Sequence, residues 1–162
     1  MSSARGELAA LAVDRLAGRS VNSGDLVDAG HRALVEGVDS PSLPELARLG
    51  RDDNGAPDVF ARVVDELGIE LPADATAARW QLLGESLGAM VRGEASPSRT
   101  SRSFAEFDRL LGHPGVLREL VRWFAMLDSW IPTDLTPVSF CEQQILEQAR
   151  LVLAGSWPPV TR

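Results

Sequence analysis

The sequence predicts an all-α protein, an irregular bundle of about seven to eight helices with no β-sheet. Apolar residues recur three and four positions apart along nearly the whole chain, and no stretch alternates with period two. Ser, Thr, Asp, Pro and Gly stand between these segments, where helices begin and end. The chain has 162 residues, enough for one core, so we predict a single helical domain over residues 1–155 and an extended tail over residues 156–162.

Short helices are predicted in an acidic half, residues 1–72. The first covers about residues 4–17 and ends at Gly18, and the second starts at Ser23. The second is expected to bury an apolar stripe, formed by Val27, His31, Leu34 and Val38. Small residues beside this stripe would allow another helix to approach closely: Gly30, Ala33 and Gly37.

Two more short helices follow from capping signals. Ser42 and Glu45 form a capping-box pattern, in which hydroxyl and carboxylate each accept a backbone N–H, and this opens a helix that ends at Gly50. Pro57 suits the first position of the next helix, which ends at Gly68.

The second half, residues 73–155, is predicted to carry longer helices. Asp74 caps a helix that ends near Gly93. The serine-rich segment 93–103 is predicted to be a flexible loop, after which Ser103 and Glu106 repeat the capping box. A strongly apolar helix is expected over residues 114–130, and a last one from Thr136–Pro137 to Gly155.

The side-chain inventory excludes several reaction classes. The chain has sixteen arginines but no lysine and no tyrosine, so a lysine Schiff base, a P-loop lysine and a phenolic acid are impossible. We predict no cofactor and no enzymatic activity.

The net charge of −7 is unevenly distributed. Residues 22–75 contain twelve carboxylates and four arginines, whereas residues 76–162 contain nine of each sign. The acidic block repels phosphates, which argues against nucleic acid and favours either a solvated face or a basic protein partner.

A cytoplasmic protein that does not bind membranes is expected. Cys141 has no second cysteine to pair with, which fits a reducing compartment. The first eighteen residues carry too many charges for a signal peptide or a membrane span.

Three stretches consist mainly of caps, prolines and core positions: residues 36–47 followed by 67–69, residues 90–97 and residues 145–150. Through them the chain resembles a set of small, uncharacterised helical bacterial proteins, over most of residues 30–153. The resemblance implies an all-helical fold and no established activity, so it assigns no functional residue.

Gly84-Glu85-Ser86-Leu87-Gly88 matches the nucleophile elbow of serine hydrolases, which places a serine on a strained turn between a strand and a helix. The preceding residues are predicted to be helical, and the only acid and histidine that follow in suitable order are Asp108 and His113. A helical segment with small residues at a close contact is therefore the favoured interpretation, and a hydrolase using Ser86 stays an alternative.

Other candidate sites also have structural interpretations. Asp25, Asp28 and His31 could hold a metal from one side of a helix, but Asp28, Arg32 and Glu36 are predicted to form a ladder of ion pairs four residues apart. The segment 52–55 resembles part of a calcium loop that lacks its downstream glutamate. Cys141 is predicted to be a buried, inert thiol, and His113 is predicted to contact carbonyls at a helix end.

Four tryptophans are more than caps or loops require. Core packing accounts for three of them, and a pocket for a small apolar ligand lined by Trp80, Met90, Trp123 and Met126 is a further alternative. Trp157 precedes two prolines in the tail and is predicted to dock on the body or on another chain.

These observations predict a non-enzymatic protein-interaction module of the immunity, antitoxin-like or adaptor type. Its partner would be a basic protein. The residues predicted to form the binding surface are Asp25, Asp28, Asp52, Asp53 and Trp157.

Overall fold

The computed structural model describes residues 3–159, and within that range it contains eight α-helices, one short 3₁₀ helix and no β-strand. The all-α prediction is therefore confirmed. The α-helices are α1 Ala4–Leu16, α2 Ser23–Glu36, α3 Leu43–Arg48, α4 Ala56–Glu66, α5 Ala75–Val91, α6 Pro97–Leu110, α7 Arg118–Asp128 and α8 Val138–Ala154, and the 3₁₀ helix Gly115–Leu117 precedes α7. No helix in the described range is both long enough and apolar enough to cross a membrane.

Residue contacts divide the chain into two compact units, Met1–Ala78 and Arg79–Arg162, called unit 1 and unit 2 below. Each unit has its own cluster of buried apolar side chains. The chain therefore has two cores where one was expected. The division lies close to the predicted border between the short-helix and longer-helix halves. Of the predicted tail, residues 160–162 lie outside the described range.

In unit 1, α2 packs against α1, α3 and α4. Its buried residues are mostly small ones: Gly24, Leu26, Val27, Ala29, Gly30 and Ala33. A Cβ on Gly30 would lie 2.8 Å from two side-chain atoms of Leu46 on α3, which confirms the predicted close approach. The predicted stripe is wrong in part, because His31 and Leu34 are exposed. Of the small residues beside it, Gly30 and Ala33 are buried, since they permit α3 to approach more closely than larger side chains would, whereas Gly37 is exposed.

The capping box predicted at Ser42 and Glu45 is absent. Ser42 makes no side-chain cap to α3, and its hydroxyl donates instead to the carboxylate of Glu66 at the end of α4. Ser42 therefore bonds to Glu66, 24 positions away, in place of the predicted backbone N–H of α3.

Unit 2 is built around aromatic side chains from α5, α6 and α7. Trp80, Phe104, Phe107 and Phe124 are buried. The rings of Phe104 and Phe124 stack with their centroids 4.6 Å apart.

Asp74 caps α5 as predicted, since its Oδ1 atom accepts the Ala77 N–H at 2.8 Å.

The loop predicted over residues 93–103 is wrong from Pro97 onward, because α6 begins there. Ser96 caps the helix, with its side chain accepting the Arg99 N–H, and Pro97 occupies the first turn, where its missing N–H costs nothing. Pro97 and Thr100 are both buried. Thus part of the serine-rich segment forms the N-terminal cap and first turn of α6. The capping box predicted at Ser103 and Glu106 does not start the helix.

Candidate functional site

Four aspartates of the predicted binding surface lie on two segments of unit 1. Asp25 and Asp28 lie in the first half of α2, and Asp52 and Asp53 lie in the turn before α4. Arg51 joins the segments, because its Nη1 atom lies 2.7 Å from Asp28 Oδ2. A surface cavity of about 480 Å³ between them is lined by Asn22, Ser23, Gly24, Arg51 and Asp52. The tertiary structure thus brings together carboxylates that are far apart in the sequence, and we call these four aspartates the acidic surface.

The predicted ladder of Asp28, Arg32 and Glu36 is wrong, because each of these side chains has a partner on another element. Arg32 forms an ion pair with Glu7 of α1, Asp28 pairs with Arg51, and Glu36 Oε2 accepts the Ala4 N–H at 2.8 Å. The hydrogen bond to Glu7 is the largest of the effects that raise the pKa of Arg32. The polar face of α2 therefore contributes to tertiary contacts.

Glu66 accepts hydrogen bonds from Ser40 and Ser42 at the junction between α2 and α3. Both serines are buried. Three donors lower the pKa of Glu66, since they favour the charged carboxylate. In decreasing order of effect they are the Ser40 hydroxyl, the Ser42 hydroxyl and the Ser42 backbone N–H. No pattern of local spacing indicates this cluster, whose members lie 24 and 26 positions apart.

No group of three or more metal-ligating side chains converges in the described range. His31 and Asp25 are exposed, and Asp28 is engaged by Arg51. In the segment that resembles a calcium loop, Asp53 Oδ1 accepts the Gly55 N–H at 2.7 Å. This side chain shapes the turn that leads into α4.

Ser86 lies in the second half of α5, with helical residues both before and after it. The nucleophile-elbow interpretation is therefore wrong, because an elbow needs a strand and a sharp turn before the serine. The first glycine of the motif has another role. A Cβ on Gly84 would lie 2.6 Å from Trp157 Nε1, so only glycine leaves room for that indole.

Trp157 packs within unit 2. Its ring meets Trp80 edge to face, with centroids 5.5 Å apart, and its Nε1 donates to the Trp80 carbonyl at 2.9 Å. The prediction that the tail docks on the body is confirmed for this residue. The indole is half-buried and hydrogen-bonded within unit 2, whereas the four aspartates belong to unit 1.

Three of the four residues of the alternative apolar pocket belong to one hydrophobic cluster, in which Trp123 packs against the buried side chains. Trp80 and Met90 are core residues, and Trp123 meets Phe140 edge to face. Met126 lines a different cavity, with Trp130, Ile131 and Thr136 among its neighbours. Of the four residues, Met126 alone lines that cavity.

Cys141 is buried, and its thiol donates to the Trp123 carbonyl at a sulfur–oxygen distance of 3.7 Å. Burial is the main cause that raises the pKa of Cys141, and the nearby carboxylate of Glu142 raises it further. Because the thiolate is the nucleophilic form, the predicted inert thiol agrees with this environment.

Asp108 and His113 form a pair at the end of α6. Nδ1 of His113 lies 2.6 Å from Asp108 Oδ2, and the His113 N–H donates to the Asp108 carbonyl at 2.8 Å. The imidazole thus contacts a carboxylate rather than the carbonyls predicted. The other carboxylate oxygen, Oδ1, is buried without a hydrogen-bond partner in the described range.

Asp108 and His113 also line a cavity of about 400 Å³ that includes Ser101 but not Ser86. Ser101 lies seven residues before Asp108 on the same helix, about 10 Å along the axis. His113 lies beyond Asp108, so the hydroxyl is too far from the imidazole for the hydrogen bond of a catalytic triad. Asp108 was missed as a site residue, although its position four residues after Phe104 puts a carboxylate on the apolar stripe of α6.

Comparisons of the chain with models of protein families, with curated proteins and with solved structures gave no match. The resemblance to small helical bacterial proteins therefore stays a prediction.

Proposed function

We propose that the protein is a non-enzymatic interaction module whose acidic surface binds a basic protein. The observation that carries the proposal is the ion pair between Arg51 and Asp28. It brings the aspartates of the turn before α4 to the same side of unit 1 as those of α2.

The charge of this region supports a basic partner. The four carboxylates lie near two arginines, Arg51 and Arg32, and the charge of Arg32 is already paired with Glu7. Asp25, Asp52 and Asp53 are exposed. A cluster of negatively charged surface carboxylates speeds association with a positively charged partner and disfavours negatively charged ones. The Arg51–Asp28 pair holds the turn against the helix without cancelling the excess of negative charge.

The test uses the full chain as bait for proteins of its own cells, followed by measured binding of each captured protein. One variant carries Asp25→Asn, Asp28→Asn, Asp52→Asn and Asp53→Asn. We expect captured proteins to be basic, to dissociate as salt rises, and to bind this variant at least about tenfold more weakly.

A control variant removes the same amount of charge elsewhere in unit 1, through Asp39→Asn, Asp58→Asn, Asp65→Asn and Glu70→Gln, all of which are exposed residues. It should bind almost as tightly as the unaltered chain. Equal losses in both variants would mean that net charge alone drives the association. Partners that bind both variants normally would contradict the proposal.

A further inference from the structure

A cavity of about 400 Å³ between α6 and α7 of unit 2 contains a buried carboxylate that is not fully paired. This volume lies within the range of small-molecule sites. Asp108 is 5% exposed, and only one of its two oxygens is engaged, by His113. Buried carboxylate oxygens in folded proteins nearly always accept a hydrogen bond, so Asp108 Oδ1 calls for a donor.

The other residues around the cavity indicate the chemistry of that donor. Two carboxylates, Asp108 and Asp128, accompany a single guanidinium, that of Arg109. Most of the remaining wall is apolar, formed by Phe104, Ala105, Val121, Phe124 and Ala125. A ligand that matches this wall is a cation with a hydrocarbon arm.

We infer that this cavity binds a small primary amine with an apolar arm, and that its ammonium group donates to the carboxylate of Asp108, which lines the cavity. A primary ammonium has three donors and no acceptor, which suits a buried carboxylate. The exposed side chains of Ala105, Val121 and Ala125 offer apolar surface to the arm, above the buried rings of Phe104 and Phe124. This ligand site lies in unit 2 and does not depend on the proposed function of the acidic surface.

The probe for the test is 2-phenylethylamine, added to the full chain while amide chemical shifts are followed by NMR. We expect saturable shifts centred on residues 101–108 and 121–128. The N-acetyl derivative keeps the phenyl arm but has no charge. It should bind at least about tenfold more weakly, since a hydrogen bond between charged groups is lost.

Two variants test the location. Asp108→Asn keeps the shape of the side chain but removes its charge, and Ala125→Leu fills the cavity from the exposed face of α7 without touching the carboxylate. Each should raise the dissociation constant about tenfold or more. Glu147→Gln changes an exposed carboxylate on α8 outside the cavity and should leave binding unchanged. If Asp108→Asn does not fold, Ala125→Leu decides the question.

Three results would overturn the inference. The first is the absence of saturable shifts at millimolar 2-phenylethylamine. The second is binding that survives Ala125→Leu, since the ligand would then lie elsewhere. The third is equal binding of the acetylated compound, because the carboxylate would then play no part in recognition.

Discussion

Units 1 and 2 are both helical, but their helices are joined by different side chains. In unit 1, ion pairs connect elements far apart in sequence, namely Glu7 with Arg32, Asp28 with Arg51 and Glu45 with Arg62. Its buried side chains are mostly Ala, Leu and Val, with Phe60 as the single aromatic residue. Unit 2 contains all four tryptophans and four of the five phenylalanines.

The difference shows two ways of packing short amphipathic helices. Small residues such as Gly30 let helices of unit 1 approach until charged side chains reach across from one to the next. Large rings in unit 2 fill more space between helices and bury more apolar area per residue. We therefore expect unit 2 to be more sensitive to loss of a ring and unit 1 to be more sensitive to pH.

The largest expected effect is that of Phe124→Ala in unit 2. Removing a ring that stacks on Phe104 should lower the free energy of unfolding by about 3–5 kcal/mol. Urea unfolding followed by tryptophan fluorescence measures it, and this signal reports unit 2 because every tryptophan lies there. The control is Phe140→Ala, whose side chain is 40% exposed. Equal losses for both variants would contradict an aromatic core.

A smaller effect is expected for Gly30→Ala in unit 1. The new Cβ would clash with Leu46, and the cost of overpacking should exceed the gain in helix propensity, for a net loss of about 1 kcal/mol. Hydrogen exchange of the amides in the unit that carries each substitution measures it. The matched control is Gly88→Ala, where the Cβ would meet only the flexible end of Arg92. A loss at Gly88 as large as that at Gly30 would argue against the close approach of α2 and α3.

Glu66→Gln tests the polar contacts of unit 1 through pH. The folded chain lowers the pKa of Glu66 below its ordinary value of 4.5, so the carboxylate stabilises the fold above that pH. This contribution is lost as the pH falls through the lower pKa of the folded state. We expect the glutamine variant to lose less stability than the unaltered chain between pH 5 and about pH 3. Parallel curves for the two proteins would show that Glu66 is not a source of the pH dependence.

The smallest expected effect is that of Glu45→Gln, which breaks the ion pair with Arg62. These side chains are 53% and 55% exposed, so we expect a loss of about 0.5 kcal/mol that disappears at high salt. Thermal unfolding at low and high salt measures it. A loss that persists at high salt would mean that exposed ion pairs hold unit 1 together more strongly than this comparison implies.

Local sequence signals predicted the helices well and the polar contacts poorly. The end of α1 near Gly18, the cap at Asp74 and the burial of Cys141 depend on neighbouring residues or on helical periodicity, and all three were predicted. The ladder from Asp28 to Glu36 and the capping box at Ser42 also have correct local spacing. They failed because partners from other helices compete for the same groups.

The sequence by itself determined that this protein is helical, where most helices begin and end, and which reactions lack a suitable side chain. Helix periodicity and capping act over about four residues, so they are present in the chain before it folds. Only the tertiary structure decided that there are two cores, that Gly84 accommodates Trp157, and that one oxygen of Asp108 is buried without a partner. Each of these depends on groups that folding brings together from separate elements, and no local sequence pattern predicts which distant residues will meet.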